Sequence, residues 1–118
     1  MSFSGIRADA TLLTTYRDLK PGSTIKASIT EIEGVESVTV DCVSTDFEQL
    51  KESLNDACYL IHKTNLEEKQ EIVFFTFVPQ DSKVKQKMMY GSTKTGLVKE
   101  LGAVSYSVFA TTIVNLVL

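Results

Sequence analysis

Hydrophobic positions along the first part of the chain follow two different periods, and each period predicts an element. From Asp9 to Leu19 the apolar residues recur at helical spacing, with Asp9 placed to cap the helix and Pro21 to end it. From Thr24 apolar and polar residues alternate, which predicts a half-buried strand. Glu33-Gly34 then turns the chain into a second strand. The predicted core-facing side of that second strand consists of Val38, Val40 and Cys42.

The middle of the chain contains a helix signal followed by two apolar runs. Thr45 and Glu48 have the spacing of a capping box, which predicts the start of a helix. The runs from Ala57 to Ile61 and from Ile72 to Val78 are almost continuously hydrophobic. Such runs are typical of strands that are buried on both faces at the centre of a sheet.

The last part of the chain predicts one long helix and one strand. The helix runs from about Ser82 to Leu101 and is closed by Gly102, a residue that suits a helix C-terminus. The residues from Val104 to Ala110 alternate again and predict the last strand. The apolar tail from Thr111 to Leu118 is too short to assign.

The resulting order of elements is helix, two strands, helix, two strands, helix and strand, and it predicts an α/β (α+β) fold. We expect a central mixed, mostly antiparallel sheet of five to six strands, flanked by helices on both faces. The length of 118 residues fits a single domain that spans residues 1–118.

Composition and charge narrow the class of protein. A net charge of −3 argues against general affinity for nucleic acid. No apolar stretch approaches the roughly 20 residues of a membrane span, and the first residues lack the basic region and apolar run of a signal peptide. Cys42 and Cys58 both lie in apolar stretches, which predicts buried, free thiols in a reducing compartment. We therefore expect a cytoplasmic protein.

Residues for catalysis or metal binding form no recognisable motif in the sequence. His62 is the only histidine, and it lies on a predicted central strand, where a structural role is more common than a catalytic one. The two cysteines form no CxxC pair, and the six glycines form neither a P-loop nor a dinucleotide-binding fingerprint. We expect a binding protein without metal or cofactor, not an enzyme. A small α/β enzyme with a dispersed active site is the alternative from another class.

Three lysines stand at the start of the long predicted helix. Lys83, Lys85 and Lys87 lie in its first turns, where their charge opposes the positive end of the helix dipole. A sequence selected only for helix stability would place acids there. The pattern fits solvated surface lysines, and it also fits an acidic partner that the lysines and helix N–H groups bind together.

The long helix has two predicted faces, which follow from a rotation of about 100° per residue. The arc expected to pack on the sheet consists of Val84, Tyr90, Leu97, Val98 and Leu101. The opposite arc consists of Lys85, Met88, Met89, Ser92, Thr95 and Lys99. Methionines among lysines and small hydroxyl residues on an outward face predict an adaptable contact surface.

The same helix resembles that of a known family. The run Lys85-Gln86-Lys87-Met88-Met89-Tyr90-Gly91-Ser92-Thr93-Lys94 is similar to the long actin-binding helix of the actin-depolymerising factor homology domain. The run from Val73 to Pro79 resembles the family's strand leading into that helix, and Ser4-Gly5-Ile6 resembles its N-terminal start. The chain therefore resembles the actin-depolymerising factor/cofilin family over nearly its whole length.

The resemblance implies a partner, a function and a set of contact residues. The chain would bind actin monomers, preferring ADP-actin, and would promote filament depolymerisation and turnover at the cytoskeleton. The implied actin-binding residues are Ser4, Gly5, Ile6, Lys85, Lys87, Met88, Met89, Ser92, Thr93 and Lys94. Phosphorylation of Ser2 or Ser4 would weaken the contact by charge repulsion. Phosphoinositide head groups at the membrane surface would compete for the same lysines.

Two departures from the family's pattern concern the second site that binds filaments. Family members that sever filaments well have a longer basic hairpin loop and a charged C-terminal helix. Here the loop from Lys63 to Gln70 is short, and its tip carries Glu67, Glu68 and Lys69. The tail from Thr111 to Leu118 has no charged residue. We therefore expect weak filament binding and weak severing.

Two related functions are alternatives to direct actin binding. A regulator of the branched-actin nucleating complex that resembles glia maturation factor would share the fold and the Met88-Met89-Tyr90 run, but such proteins lack the paired lysines before the methionines. Lys85 and Lys87 therefore favour actin itself. The run Lys87-Met88-Met89-Tyr90 argues against the other alternative, a filament side-binder resembling coactosin. We expect the protein to be a monomer.

Overall fold

The computed structural model describes residues 5–65 and 69–118 of the chain. The predictions for Ser2, Ser4, Glu67 and Glu68 lie outside these residues. Lys69, the third residue of the predicted filament-side loop, is described and is exposed to solvent.

Within the described residues, three α-helices and five strands follow one another in the predicted order, and a two-residue strand precedes them. The helices are α1 (Ala10–Arg17), α2 (Phe47–Glu52) and α3 (Val84–Leu101). The strands are β1 (Arg7–Ala8), β2 (Thr24–Ile32), β3 (Val35–Ser44), β4 (Cys58–Lys63), β5 (Ile72–Phe77) and β6 (Tyr106–Ala110). A single 3-10 turn, Ile113–Asn115, follows β6.

The strands form one six-stranded sheet in the order β1-β3-β2-β4-β5-β6. The three central pairings are antiparallel, and the two edge pairings, β1 with β3 and β5 with β6, are parallel. The β5–β6 connection crosses over through α3, because two parallel neighbours cannot be joined by a tight turn. This arrangement confirms the predicted α+β fold and the mixed, mostly antiparallel sheet.

Helices cover both faces of the sheet, and each face has its own hydrophobic core. On the α1 and α3 side the core includes Tyr59 and Phe74. On the α2 side it includes Leu60, Phe75 and Leu116, a residue from the C-terminal tail. Strands β4 and β5 contribute side chains to both cores, so the two apolar runs are central strands that are buried on both faces, as predicted.

Local sequence signals at the ends of elements act as predicted. The Asp9 carboxylate accepts a hydrogen bond from the Thr11 backbone N–H at 3.0 Å and caps α1. Glu33 and Gly34 have φ angles of 53° and 81°, the left-handed values that a two-residue hairpin turn between β2 and β3 requires. Gly102 follows the end of α3 with a φ of 70°.

The prediction that Cys42 shares a buried face with Val38 and Val40 is wrong. Val40 pairs with Ala27 and Cys42 pairs with the adjacent residue Lys26, so Asp41 is an extra residue on β3. This β-bulge turns Cys42 to the other side of the sheet, where its side chain is exposed. Only Cys58 is a buried thiol, and burial raises its pKa to about 12.

The capping box predicted at Thr45 and Glu48 is replaced by a cap one residue later. The Asp46 carboxylate accepts a hydrogen bond from the backbone N–H of Gln49 at 3.0 Å, and α2 begins at Phe47. Asp is a favourable N-cap residue in its own right, so it takes the position in preference to Thr45. The helix itself and its buried side, formed by Phe47 and Leu50, are as predicted.

His62 has the structural surroundings expected of a lone strand histidine. Its Nδ1 lies 2.7 Å from the Thr24 hydroxyl oxygen on the neighbouring strand, and its ring packs on Phe47 with centroids 5.6 Å apart. The side chain is almost fully buried. Burial lowers the pKa of the imidazole below its ordinary value, because a charged ring would lose its hydration.

Candidate functional site

Tyr90 fastens the middle of α3 to the sheet. Its phenol oxygen accepts a hydrogen bond from the backbone N–H of Ile29 at 3.0 Å, and its backbone carbonyl accepts one from the Tyr59 hydroxyl at 2.6 Å. The Tyr59 and Tyr90 rings also contact each other, with centroids 5.0 Å apart. Tyr90 is therefore the anchor of the run that resembles an actin-binding helix, and its neighbours on either side are positioned by it.

The first turns of α3 carry exposed side chains. Val84 is 70 % exposed and Met88 is 68 % exposed, and Lys85 and Lys87 are exposed as well. The prediction that Val84 packs on the sheet is wrong, because burial along α3 begins only at Tyr90. Val84 and Met88 stand four residues apart, which places them side by side on the helix surface. The result is a small apolar strip flanked by lysines.

The N-terminus of α3 has no side-chain cap. Lys83 occupies the N-cap position with extended backbone angles and makes no capping hydrogen bond, and the first turn contains no acidic residue. The first N–H groups of any helix have no partner within the helix. Together with Lys85 and Lys87, these groups make the helix start attractive to negative charge.

The second half of the matched run divides between outward and inward positions. Met89, Ser92 and Lys94 are partly exposed, and the Ser92 hydroxyl donates to the Met89 carbonyl oxygen at 3.3 Å. Thr93 is only 2 % exposed and forms a hydrogen bond with the Tyr59 hydroxyl. Thr93 is therefore the most buried residue of this half of the run, and its predicted part in the contact stays a prediction.

The N-terminal segment lies against the second half of α3. The Glu100 carboxylate accepts a hydrogen bond from the Ala8 backbone N–H at 3.0 Å and pairs with the Arg7 guanidinium at 3.6 Å. The Asp9 backbone N–H donates to the Val38 carbonyl oxygen at 2.9 Å. Both sides of β1 are thus held, one by α3 and one by β3.

A groove of about 340 Å³ separates this segment from α3. Its walls include Gly5 and Ile6 on one side and Ser92, Thr93 and Gly96 on the other. The structure thus brings the described part of the predicted N-terminal arm next to the predicted helix residues, although they are more than 80 positions apart in sequence. Lys69 is not among the residues that line the groove.

Four residues of this region are absent from the predicted contact set. Val84 extends the apolar strip, and Arg7, Lys99 and Glu100 line the groove. The position of Val84 four residues before Met88 was the sequence signal that could have placed it beside Met88 on the helix surface. The pairing of Arg7 with Glu100 joins distant positions, so no local pattern could have revealed it.

Metal binding and membrane insertion have no support in the described part of the chain. Within residues 5–65 and 69–118, no group of three or more His, Cys, Asp and Glu side chains could hold a metal ion. Among those same residues, no helix is both long and apolar enough to cross a membrane. What the surface of α3 offers is apolar side chains, lysines and unpaired helix N–H groups, which can bind a complementary surface.

Comparison with known proteins identifies the family. The sequence profile of the family described as cofilin/tropomyosin-type actin-binding protein matches residues 5–116. The chain belongs to this family. It is 34 % identical to cofilin of Saccharomyces cerevisiae, in an alignment that covers 94 % of this chain and 85 % of the yeast protein. Membership of the actin-depolymerising factor/cofilin family, expected from the helix run, is thereby confirmed.

Solved structures of family members have the same fold. The cofilin of Streptomyces griseoflavus matches with a TM-score of 0.80 at 21 % identity, covering 94 % of this chain and 89 % of that one. Actin depolymerization factor 2 of Plasmodium berghei matches with a TM-score of 0.78 at 22 % identity, covering 95 % and 90 %. At such identities the likeness establishes the fold of this cofilin-family chain and leaves its contacts to be argued from its own residues.

Proposed function

We propose that this protein binds actin monomers through the first half of α3 and promotes filament depolymerisation and turnover without catalysing a reaction. The contrast within α3 carries the proposal. Tyr90 anchors the helix to the sheet, whereas the side chains of Lys85, Lys87 and Met88 are exposed and make no hydrogen bond or ion pair with the described residues. Large exposed apolar side chains beside charged ones are typical of a protein interaction surface.

The chemistry of this surface defines what the partner must offer. The exposed apolar strip of Val84 and Met88 would be complementary to an apolar cleft on the partner, and methionine can adapt its shape to such a cleft. The lysines on both sides and the uncapped helix start call for acidic groups at the rim of that cleft. Gly5 and Ile6, held beside the helix through β1, extend the same contact toward the N-terminus.

Binding alone is enough to change filament turnover. A protein that binds ADP-actin more tightly than ATP-actin shifts the polymerisation equilibrium by its difference in affinity for the two states. No covalent step is needed for this linkage. In this account the protein acts in the cytoplasm at the actin cytoskeleton, and one copy contacts one actin monomer.

On the filament side we expect only weak severing. The tail after β6 forms a single 3-10 turn, Ile113–Asn115, and contains no charged residue. In the loop from Lys63 to Gln70, the lysine at the predicted tip, Lys69, is exposed. Because Glu67 and Glu68 offset the loop's lysines and the tail has no charged side chain, contacts to the filament should be weaker than contacts to the monomer.

Two regulatory inputs belong to the same proposal. Phosphoinositide head groups carry several negative charges, so they would compete with actin for Lys85 and Lys87. A phosphate on Ser2 or Ser4 would place negative charge beside an acidic partner and weaken the contact. Both inputs act by electrostatics, so both should weaken as the salt concentration rises.

A titration into fluorescently labelled ADP- and ATP-actin monomers, followed by filament sedimentation, tests the proposal. The expected result is saturable binding that favours ADP-actin, with affinity that falls as salt is added and little protein in the filament pellet. Absence of monomer binding would overturn the proposal. Binding to the branched-actin nucleating complex in its place would indicate a function like that of glia maturation factor.

A further inference from the structure

Strand β6 ends the sheet with an unprotected edge. In the described part of the chain, β6 pairs with β5 on one side, and no strand pairs with its other side. Natural edge strands are usually protected by lysine, proline or a bulge, because their free N–H and C=O groups can pair with another chain. From Tyr106 to Ala110 the sequence contains no charged residue, no proline and no glycine, and the pairing with β5 has an unbroken register.

The hydrogen bonds between β5 and β6 show which backbone groups of β6 point away from β5. The Ala110 carbonyl oxygen accepts a hydrogen bond from the Val78 N–H, at the end of β5. Because successive residues of a strand point their backbone groups to opposite edges, Val108 and Tyr106 also point toward β5. Ser107 and Phe109 therefore present their N–H and C=O groups at the outer edge.

A second copy of β6, antiparallel to the first, fits this edge in one register. When Val108 lies opposite Val108 of the second copy, Ser107 lies opposite Phe109 in both directions. These are the residues with outward backbone groups, so each such pair exchanges two hydrogen bonds and the two pairs together form four. The twofold axis then passes between the two valines, and the contact uses the same surface on both copies.

Side-chain sizes agree with the register that the backbone selects. Tyr106 is 55 % exposed and lies opposite the small Ala110 of the second copy in this register. Phe109, on the other face, is 51 % exposed and lies opposite the small Ser107. Each large side chain thus meets a small one, which gives a self-complementary pattern across the pair.

Charge also favours a second copy over a charged partner. The last residue with a charged side chain is Glu100, so residues 101–118 have no charged side chain. Each copy has a net charge of −3, and β6 adds no charged side chain to the contact, where Glu71 lies beside the Tyr106 hydroxyl. Six of the 11 large hydrophobic side chains exposed in the described chain, Tyr106, Phe109, Ile113, Val114, Val117 and Leu118, belong to this stretch.

We propose that two copies of this chain pair through the outer edges of their β6 strands, antiparallel and centred on Val108, to form one continuous sheet across a twofold axis. The pairing departs from the monomer expected from the sequence. It does not depend on the actin-binding proposal, since α3 contributes no residue to it. Because each copy uses its whole β6 edge, association stops at the dimer.

Sedimentation velocity of the full chain from about 10 μM to about 1 mM tests the pairing, since micromolar to millimolar dissociation constants fall in this range. The expected result is a reversible, concentration-dependent shift from monomer to dimer. Sedimentation as a monomer at every concentration would overturn the proposal. Growth beyond the dimer would overturn it as well, because it would show open-ended association in place of a closed pair.

Two variants at one position separate the strand edge from the apolar tail. Ser107→Pro removes an outward N–H and leaves the β5 pairing untouched, and proline is accepted on an edge strand in this orientation. Ser107→Lys places a positive charge on the edge strand, and it is the variant to measure if the proline variant does not fold. Each should weaken dimerisation about tenfold or more, since edge charges and prolines block strand pairing. The matched control is Val114→Lys, on the exposed tail.

Val114→Lys should leave the monomer–dimer equilibrium within about twofold of that of the unchanged protein. An equal loss of dimer in the control and in Ser107→Lys would show that the tail, not the strand edge, causes association. A crosslink gives the register directly: Val108→Cys in a Cys42→Ser background should oxidise to a disulfide-linked dimer, because the two Cα atoms would lie about 4.5 Å apart. Val114→Cys in the same background should not, and equal crosslinking of both would contradict the register.

Discussion

The phenol oxygen of Tyr90 on α3 accepts a hydrogen bond from the backbone N–H of Ile29 on β2, at 3.0 Å. Strand β2 pairs with β4 only from Thr24 to Ala27, so the hairpin beyond Ala27 extends past the edge of β4. Tyr90 takes the place of a strand partner for this part of β2. One side chain thereby connects the helix that carries the proposed contact surface to the sheet that supports it.

Replacing Tyr90 by Phe tests this connection. The ring still fills its buried site, but the Ile29 N–H loses its acceptor, and leaving such a group unpaired should lower the free energy of unfolding by about 1–2 kcal/mol. Urea unfolding measures the change. Thr39→Ser, a change at a partly exposed strand position, is the control for a conservative hydroxyl substitution. A Tyr90→Phe variant as stable as the unchanged protein would contradict the role of this hydrogen bond.

Truncation of Met88 separates binding from folding. Because Met88 is 68 % exposed, Met88→Ala should leave the unfolding midpoint unchanged. If Met88 enters an apolar cleft of actin, its loss should weaken monomer binding by about 1–2 kcal/mol, or roughly tenfold. Val43→Ala removes an exposed apolar side chain from β3 and should leave affinity unchanged. Equal affinities for all three proteins, measured by titration into labelled actin, would remove Met88 from the contact.

Glu100 should hold the N-terminal segment in place through the Ala8 N–H. Glu100→Ala removes the acceptor and should speed hydrogen exchange at Ala8, whereas Glu100→Gln keeps an amide oxygen that can accept the same bond. The loss of the ion pair with Arg7 should matter little, because the Arg7 side chain is largely exposed. Equal exchange rates at Ala8 in the two variants would indicate that strand pairing alone holds β1.

The buried imidazole of His62 should make stability depend on pH. Because burial lowers the pKa of His62, the unfolded chain binds a proton at pH values where the folded protein does not. The stabilising contribution of the neutral ring is therefore present above the unfolded pKa of 6.5 and is lost as pH falls below it. Urea unfolding between pH 7.5 and about 5.5 should show this slope in the unchanged protein and a shallower one in His62→Gln. Parallel slopes would show that other groups cause the dependence.

The fold could be predicted because its signals are local and strong. The apolar runs of β4 and β5 indicated central strands, and Asp9 and Gly102 marked helix ends. Strand β1 could not be predicted, since two residues carry no period. The position of Cys42 was missed for a related reason: one extra residue at Asp41 reverses every side chain after it, and no pattern within β3 announces the bulge.

The burial of the candidate-site residues could be predicted in part from helical geometry. Thr93 lies only about 40° around the helix from the core residue Leu97, so its burial follows from that geometry, and it also lines the groove. Helical geometry also predicted that Val84 faces the sheet, because Val84 lies on the same arc of the helix as Tyr90 and Leu97. That geometry does not show how far along the helix the contact with the sheet extends. The exposure of Val84 depends on tertiary structure that a helical wheel does not contain.

Removal of Lys85 and Lys87 together is the direct test of the proposed actin-binding surface on α3. Both side chains are exposed, so the double alanine variant should unfold at the same temperature as the unchanged protein. Arg17→Ala combined with Lys20→Ala removes two exposed positive charges near the end of α1 and is the matched control for net charge. The measurement is titration of all three proteins into labelled ADP-actin monomers.

We expect the α3 double variant to bind at least about tenfold more weakly, a loss of about 1.4 kcal/mol or more, and the α1 double variant to bind as the unchanged protein does. Equal affinity of the α3 variant and the unchanged protein would contradict the assignment of the actin-binding surface to the first half of α3.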